Sequence, residues 1–167
     1  MRFLIISLLS GVALGAAACA GPTALTAPPV ATASGAPEPV EGYDWFLHRD
    51  GDTARLVYGL AESDDLRLGL DCRRGVGRLD VSAPGDDGDA WIVLESGGEM
   101  DRLPARAEPS ELHDGVFLTA AATTQAPVFQ RFRRLGWLAV WSGETRQAYA
   151  PHPGSLGEAE RFFAFCG

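Results

Sequence analysis

The chain has 167 residues, the length of one domain of ordinary size, which excludes a large multidomain enzyme. Its formal net charge is −8, and all 14 of its basic residues are arginine. We expect no nucleic-acid partner, because an acidic chain without a long basic block does not suit a phosphate backbone. With 46% hydrophobic residues the chain can build a core, so wholesale disorder is not expected.

The first 18 residues have the order of a secretory signal peptide. Arg2 precedes an apolar run from Phe3 to Leu14, and small residues come just before Cys19. The apolar run is shorter than the ~20 residues that a membrane-spanning helix needs. We therefore assign residues 1–18 to a signal peptide and exclude them from the folded domain.

The segment Gly15-Ala16-Ala17-Ala18-Cys19 resembles the lipobox of bacterial lipoprotein precursors, although Ala16 stands where Leu is usual. The resemblance implies that Cys19 is the lipidation site and that membrane lipid anchors the mature chain through it. The non-acidic Ala20 then implies the periplasmic face of the outer membrane. The alternative is ordinary signal peptidase cleavage after Ala20, which would discard Cys19.

Residues 19–41 are expected to form the lipidated Cys and a disordered tether. They are rich in Pro, Ala and Thr and have no apolar periodicity, so they cannot bury enough surface to offset the entropy of ordering. Their prolines favour a semi-extended chain. One globular domain is then expected over residues 42–167.

Cys72 and Cys166 are the two cysteines that remain if Cys19 is lipidated. Two thiols in an exported domain most simply form one disulfide. Cys72 ends an alternating pattern that points it to the inner face of a strand, and Cys166 falls at helical spacing with Phe162 and Phe163. We predict a Cys72–Cys166 disulfide; two free buried thiols or a redox-active pair are the alternatives.

Short strands separated by turn signals account for most of the domain. The first hairpin is marked by Asp50-Gly51, a strong turn signal. The predicted strands are Asp44–His48, Ala54–Leu60, Leu66–Cys72, Arg78–Ser82, Trp91–Leu94, Met100–Leu103, Val116–Ala121, Trp137–Trp141 and Arg146–Tyr149.

Two short helices complete the prediction. The first begins at Pro127, has an apolar face and ends at Gly136. The second runs to the C-terminus, and its Ser155 and Glu158 have the spacing of a capping box. The fold class is therefore α+β: a mainly antiparallel, sandwich-like sheet with two short helices, the last one C-terminal.

The segments P-V-F-Q-R-F-R-R-L-G, W-L-A-V-W and F-F-A-F-C-G resemble, in their order, the invasion-associated locus B proteins and accessory lipoproteins of type VI secretion. The segment Y-G-L-A-E-S-D-D-L-R-L-G-L-D-C resembles uncharacterised envelope proteins of proteobacteria. The likeness is architectural. It implies a periplasmic β-rich domain with a disulfide and without established catalytic residues.

Motifs for catalysis or metal binding are not found in the sequence. His48, His113 and His152 lack the spacing of metal ligands, and no G-x-S-x-G nucleophile motif occurs. The Asp-rich runs at 50–52, 64–65 and 86–89 lack the alternating carboxylates and closing Glu of a calcium loop and are typical of turns. We expect no catalytic residue, no metal and no cofactor, and hence no enzyme.

The side chains of Arg131, Arg133 and Arg134 form the one concentration of positive charge. They are candidate partner contacts, because arginine binds phosphate or carboxylate groups in a bidentate manner. Lipid A phosphates, anionic lipid or an acidic envelope protein would suit them. The alternative is a solvated helix face paired with nearby acids.

These features predict a membrane-anchored lipoprotein that serves as a non-catalytic envelope binding or assembly accessory. The alternative is a small periplasmic inhibitor or ligand-binding domain. Lipoprotein lysozyme inhibitors are similar in being small, disulfide-closed and β-rich, although this chain lacks their S-G-x-x-Y type of motif.

Overall fold

Nine strands and two helices are formed by residues 36–110 and 115–167, which the computed structural model describes. The predicted signal peptide, Cys19, His113 and the predicted tether as far as residue 35 lie outside these residues. The strands are β1 (Tyr43–Asp50), β2 (Thr53–Leu60), β3 (Leu66–Arg73), β4 (Arg78–Gly85), β5 (Trp91–Ser96), β6 (Glu99–Pro109), β7 (Val116–Thr123), β8 (Leu138–Ser142) and β9 (Thr145–Tyr149). The helices are α1 (Pro127–Leu135) and α2 (Glu158–Cys166).

The strands form one sheet in the order β1-β2-β3-β4-β7-β6-β5-β8-β9, and every neighbouring pair is antiparallel. The sheet curls into a nearly closed barrel. Strand β6 makes the curl continuous, because its residues 99–104 pair with β5 and its residues 105–109 pair with β7. The predicted α+β class, with a mainly antiparallel sheet and a C-terminal helix, is confirmed.

Alternation along each strand decides which side chains enter the barrel. In the β1–β2 hairpin, Trp45, Leu56 and Tyr58 are buried, whereas Phe46 and Arg55 beside them are exposed. The hairpin turns between Asp50 and Thr53, which face each other across the ladder. Gly51 has a φ of 54° there, a left-handed conformation that glycine adopts without strain.

Both helices pack on the inner face of the sheet and fill it with aromatic rings. Helix α1 begins at Pro127 and ends at Gly136, whose left-handed backbone (φ 76°) lets its N–H bond back to the carbonyl oxygen of Phe132 at 2.7 Å. The fully buried rings of the two helices are Phe129, Phe132, Phe162 and Phe163. They belong to one hydrophobic core with the inward side chains of the strands.

The start of α2 differs from the predicted capping box. The helix begins at Glu158 after Gly157, and no side chain caps it. The hydroxyl of Ser155 donates instead to the carboxylate of Asp44 and to the backbone oxygen of His152, while Glu158 pairs with Arg161. The capping-box prediction is wrong because the Ser155 hydroxyl is bonded to a carboxylate from β1 and accepts no N–H group of the helix.

The end of α2 is joined to the sheet by a disulfide between Cys72 and Cys166, whose Cα atoms lie 5.8 Å apart. Hydrogen bonds reinforce the junction: the N–H groups of Gly75 and Gly77 donate to the carbonyl oxygens of Phe165 and Cys166 at 3.0 and 2.9 Å. The β3–β4 turn thus satisfies carbonyl groups that a helix end leaves without partners.

The seam between the two edge strands, β1 and β9, is bridged by side chains. The indole N–H of Trp45 donates to the carbonyl oxygen of Tyr149 at 3.2 Å. Oδ1 of Asp44 accepts the backbone N–H groups of Trp45 and His152, at 2.8 and 3.1 Å, and the hydroxyl of Ser155. One carboxylate therefore holds β1 to the chain that follows β9.

Replacement of this carboxylate tests the seam. The change Asp44→Ala is expected to lower the free energy of unfolding by about 2 to 3 kcal/mol, because two backbone N–H groups and a hydroxyl lose a charged acceptor. Asp101→Ala is the matched control, since Oδ1 of Asp101 accepts the next backbone N–H at the same 2.8 Å and makes no contact across a seam. Urea unfolding of both variants measures the difference, and equal losses would contradict the role of Asp44.

Candidate functional site

A cavity of about 640 Å³ opens at one end of the barrel, and we call it the mouth. Three parts of the chain surround it: the β2–β3 turn, the end of β4 and the β8–β9 hairpin. Its volume falls in the range of roughly 300–1,000 Å³ that is usual for small-molecule sites. The lining residues are Asp64, Asp65, Leu66, Arg67, Pro84, Gly85, Asp86, Val140, Ser142, Thr145, Gln147 and Tyr149.

The β8–β9 hairpin gives the mouth its polar wall. Val140 faces Gln147 and Ser142 faces Thr145 across the ladder, so the inward face changes from apolar to hydrogen-bonding side chains as the hairpin approaches its turn. Tyr149 ends this face and is buried. The hairpin can therefore offer neutral donors and acceptors to a ligand above an aromatic floor.

All three tyrosines of the chain meet beside the mouth. The ring of Tyr58 stacks on Tyr149 with centroids 4.7 Å apart and on Tyr43 at 6.0 Å. They line a second cavity of about 330 Å³, the side pocket, which shares Arg67, Gln147 and Tyr149 with the mouth. The rings supply flat, rigid walls that lose little entropy when a ligand packs on them.

The guanidinium of Arg67 is fixed between the two cavities. It pairs with the carboxylate of Asp65 at 3.0 Å, donates to the hydroxyl of Tyr43 at 3.0 Å and lies 5.3 Å from the centroid of that ring. The Tyr43 hydroxyl in turn donates to Asp65. The positive charge of Arg67 is thus balanced by a carboxylate within the site.

Burial changes the chemistry of the other two tyrosines. It raises the pKa of Tyr149 to about 12, and the hydroxyl of Tyr149 donates to Oε1 of Gln147 at 3.1 Å. Burial also raises the pKa of Tyr58, while the backbone of Val40 opposes that rise. The hydroxyl of Tyr58 makes no hydrogen bond of ordinary geometry within the described residues, although the side chain is only 1% exposed.

The tyrosine absorbance measured in a pH titration reports on this site alone, because all three tyrosines of the chain lie in it. Absorbance of tyrosinate is expected to show a transition near pH 12 that disappears in Tyr149→Phe. The folded state holds the Tyr149 proton above the ordinary pKa of 10.0, so the unfolded chain releases it first as pH rises. This contribution to stability is therefore complete below about pH 10 and is lost between about pH 10 and 12.

The control for the titration is circular dichroism of the same samples, which separates ionisation of the folded protein from alkaline unfolding. Tyr149→Phe keeps the ring stacked on Tyr58 and loses one hydrogen bond. Its free energy of unfolding at neutral pH should therefore lie within about 1 kcal/mol of the parent's. Ordinary titration of all three tyrosines near pH 10 would contradict the burial of Tyr149.

The Asp-rich runs lie in turns or, at Asp50, at the end of a strand beside one. The carboxylate of Asp89 accepts the backbone N–H of Asp86 at 2.9 Å, and Asp52 pairs with Arg74. No group of three or more His, Cys, Asp and Glu residues in the described part of the chain could hold a metal ion. Two of the turn carboxylates, Asp64 and Asp86, line the mouth.

Acids already pair with two of the three arginines of the candidate partner contact. Arg133 makes a bidentate pair with Glu160 of α2, both bonds 2.7 Å long, and Arg131 lies 3.4 Å from Glu99. The Arg133 guanidinium lowers the pKa of Glu160. Arg134 is exposed and has no ion pair among the described residues. The three residues share helix α1, but only Arg134 is uncommitted.

Sequence reasoning missed the mouth. The sequence predicts a turn at Asp64 and Asp65, as the structure has it, but no motif identifies Tyr43, Tyr58 or Tyr149 as site residues. One signal was present: Tyr58 follows Ala54 and Leu56 at alternate positions, which places it inside the barrel. Nothing in the spacing of Thr145, Gln147 and Tyr149 indicates that these polar positions face a cavity.

The chain matches no family model, no curated protein and no solved structure. The resemblance to envelope lipoproteins therefore stays a prediction. Among the described residues, no helix is long and apolar enough to cross a membrane.

Proposed function

We propose that this protein is a membrane-anchored envelope lipoprotein whose exported domain binds a small ligand, without catalysis, in the mouth of its barrel. The mouth is the observation that carries the proposal: it is concave, about 640 Å³ in volume and lined by fixed polar and aromatic groups. Ligand binding is therefore the proposed activity, ahead of a role as an assembly accessory, and the cell envelope is its location.

The rigidity of the lining supports binding. Arg67 is held by Asp65 and Tyr43, and Tyr149 is held by Gln147 and by stacking on Tyr58. Groups that are fixed before a ligand arrives lose little entropy on binding, which favours affinity. Ser142 and Thr145 of the wall make no side-chain hydrogen bond within the described residues, so they can orient the ligand.

The anchor is the second part of the proposal. Cys19, acylated after removal of residues 1–18, would hold the domain at the periplasmic face of the outer membrane, with residues 20–41 as the tether. Intact-mass measurement of the membrane fraction is expected to find a chain that begins at Cys19 and carries acyl groups. A soluble chain beginning at Gly21 would overturn the anchor and leave the binding site unaffected.

Blocking the mouth tests the binding. Small molecules are extracted from protein purified from its native envelope and compared with those from Ser142→Trp, which fills the mouth, and Thr119→Trp, which places the same ring on the exposed outer face of β7. A compound that copurifies with the parent and with Thr119→Trp but not with Ser142→Trp supports the proposal. A compound retained by all three, or by none, contradicts it.

Contact with an envelope protein through α1 is the second candidate function. The exposed guanidinium of Arg134 favours it, because Arg131 and Arg133 are in ion pairs whereas Arg134 has none in the part of the chain that the structure describes. In-cell crosslinking from Leu135, which is 42% exposed beside it, would identify the partner. A crosslink that persists in Arg134→Gln would argue against this contact.

A further inference from the structure

The charges around the mouth do not cancel. Three carboxylates line it, those of Asp64, Asp65 and Asp86, against the single guanidinium of Arg67. Arg67 is committed to Asp65 at 3.0 Å and to the Tyr43 hydroxyl. The carboxylates of Asp64 and Asp86 make no ion pair or hydrogen bond within the described residues, so a negative potential remains at the opening.

An unsatisfied group in the adjoining side pocket points to a ligand independently of these charges. Tyr58 lines that pocket and is 1% exposed, and its hydroxyl makes no hydrogen bond of ordinary geometry there, although the backbone of Val40 lies near enough to lower its pKa. Buried polar groups are almost always paired, so this hydroxyl can bond to an atom from outside the chain that enters the side pocket. Tyr149 and Gln147 connect this position to the mouth.

The lining also limits the kind of molecule. The ring of Tyr149, which lines both cavities, attracts a cation, and the unpaired carboxylates at the opening do the same. Ser142, Thr145 and Gln147 supply neutral donors and acceptors that suit hydroxyl groups. An anionic ligand would have to approach Asp64 and Asp86 without a free positive charge to meet it.

From these observations we infer that the mouth selects a small hydroxylated molecule carrying a positively charged amino group. The ammonium group lies towards Asp64 and Asp86, and the hydroxyl groups face the β8–β9 wall. This inference rests on the proposed function, since it names the class of ligand for the same site. It specifies charge, which the proposed function leaves open.

Three sugars of one ring size test the charge: glucosamine carries an ammonium group, glucose is neutral and glucuronate carries a carboxylate. Titration calorimetry with the full mature chain is expected to give glucosamine a dissociation constant about tenfold or more below that of glucose. Glucuronate should bind more weakly than glucose. The preference for glucosamine should decrease as salt is added, because the carboxylates are near the surface.

A pair of variants with equal charge change locates the effect. Asp64→Asn with Asp86→Asn should remove the preference for glucosamine over glucose. Asp50→Asn with Asp101→Asn removes the same two charges away from the mouth and should leave the preference intact. Circular dichroism verifies that both double variants are folded.

Several results would overturn the inference. Equal binding of glucosamine and glucose, tighter binding of glucuronate, no binding of any of the three, or equal loss in both double variants would each do so. These outcomes are distinct from failure of the proposed function, which is decided by the compound that copurifies with Thr119→Trp and is lost from Ser142→Trp. If the compound that is absent from Ser142→Trp is neutral or anionic, the proposed function is supported and the inference of a cationic ligand is contradicted.

Discussion

Replacing both bridge cysteines, Cys72→Ala with Cys166→Ala, is expected to lower the free energy of unfolding by about 4 to 5 kcal/mol. The bridge closes a loop with a sequence separation of 94 residues. A cross-link over so long a loop removes many conformations from the unfolded chain. The entropy that the unfolded chain loses, and with it the stabilisation of the folded state, grows with the logarithm of loop length. Urea unfolding, with the parent protein in parallel, measures the loss as a lower midpoint.

The folded structure of this double variant should remain, because other contacts hold the end of α2. The N–H groups of Gly75 and Gly77 still donate to the last helical carbonyl groups, and the hydroxyl of Thr124 donates to the oxygen of Gly167 at 2.5 Å. Far-ultraviolet circular dichroism of the parent and the variant should therefore agree at neutral pH. The change acts on the unfolded state more than on the native contacts.

Single replacements provide the control for the bridge. Cys72→Ala and Cys166→Ala each break the same bond, so each should lose nearly as much stability as the double variant. Reductant added to the folded parent should leave the bridge intact without urea, since Cys166 is fully buried and Cys72 nearly so. Losses that simply add, or an unchanged urea midpoint, would contradict a bridge that closes this loop.

The sequence predicts the fold best in elements that have one buried face and one exposed face. Alternation in Leu66–Arg73 and turn residues such as Asp50-Gly51 specify strands and hairpins locally. Helix α1 is specified at both ends by Pro127 and Gly136. These signals are local, so they survive without knowledge of the rest of the chain.

Strand β6 was harder to predict, because its environment is set by distant strands. The predicted strand Met100–Leu103 extends in the structure from Glu99 to Pro109. Most of the added residues are exposed, and Pro104 interrupts the strand-like pattern. The extension exists because β6 leaves β5 at Pro104 and pairs with β7 from Ala105 onward. The local sequence of β6 does not indicate that β7 is its partner.

The mouth could not be predicted for the same physical reason. Its walls come from residues 64–67, 84–86 and 140–149, and only closure of the sheet brings them together. A polar residue that faces a cavity has the same local pattern as one that faces solvent. Pairing of the α1 arginines with acids was one of the two alternatives that the sequence left open, but the partners of Arg131 and Arg133, Glu99 and Glu160, lie on β6 and α2 and cannot be identified from the local charge pattern.

Truncation of a single ring at the helix–sheet junction is expected to have the second large effect on stability. Phe132→Ala should lower the free energy of unfolding by about 3 to 5 kcal/mol, because it removes a fully buried aromatic side chain and leaves a cavity. The ring of Phe132 contacts Trp45 of β1 at a centroid distance of 4.9 Å and Phe163 of α2 at 5.8 Å. One side chain thus joins both helices to the first strand.

Phe117→Ala is the matched control for this position, since Phe117 lies on β7 with 40% of its surface exposed. The same atoms are removed there without opening a cavity in the core, so the loss should stay below about 1 kcal/mol. Phe132→Leu should fall between the two, because it refills part of the space. If Phe132→Ala and Phe117→Ala unfolded at the same urea concentration, the packing of α1 against Trp45 and Phe163 would be wrong, and with it the placement of both helices inside the curled sheet.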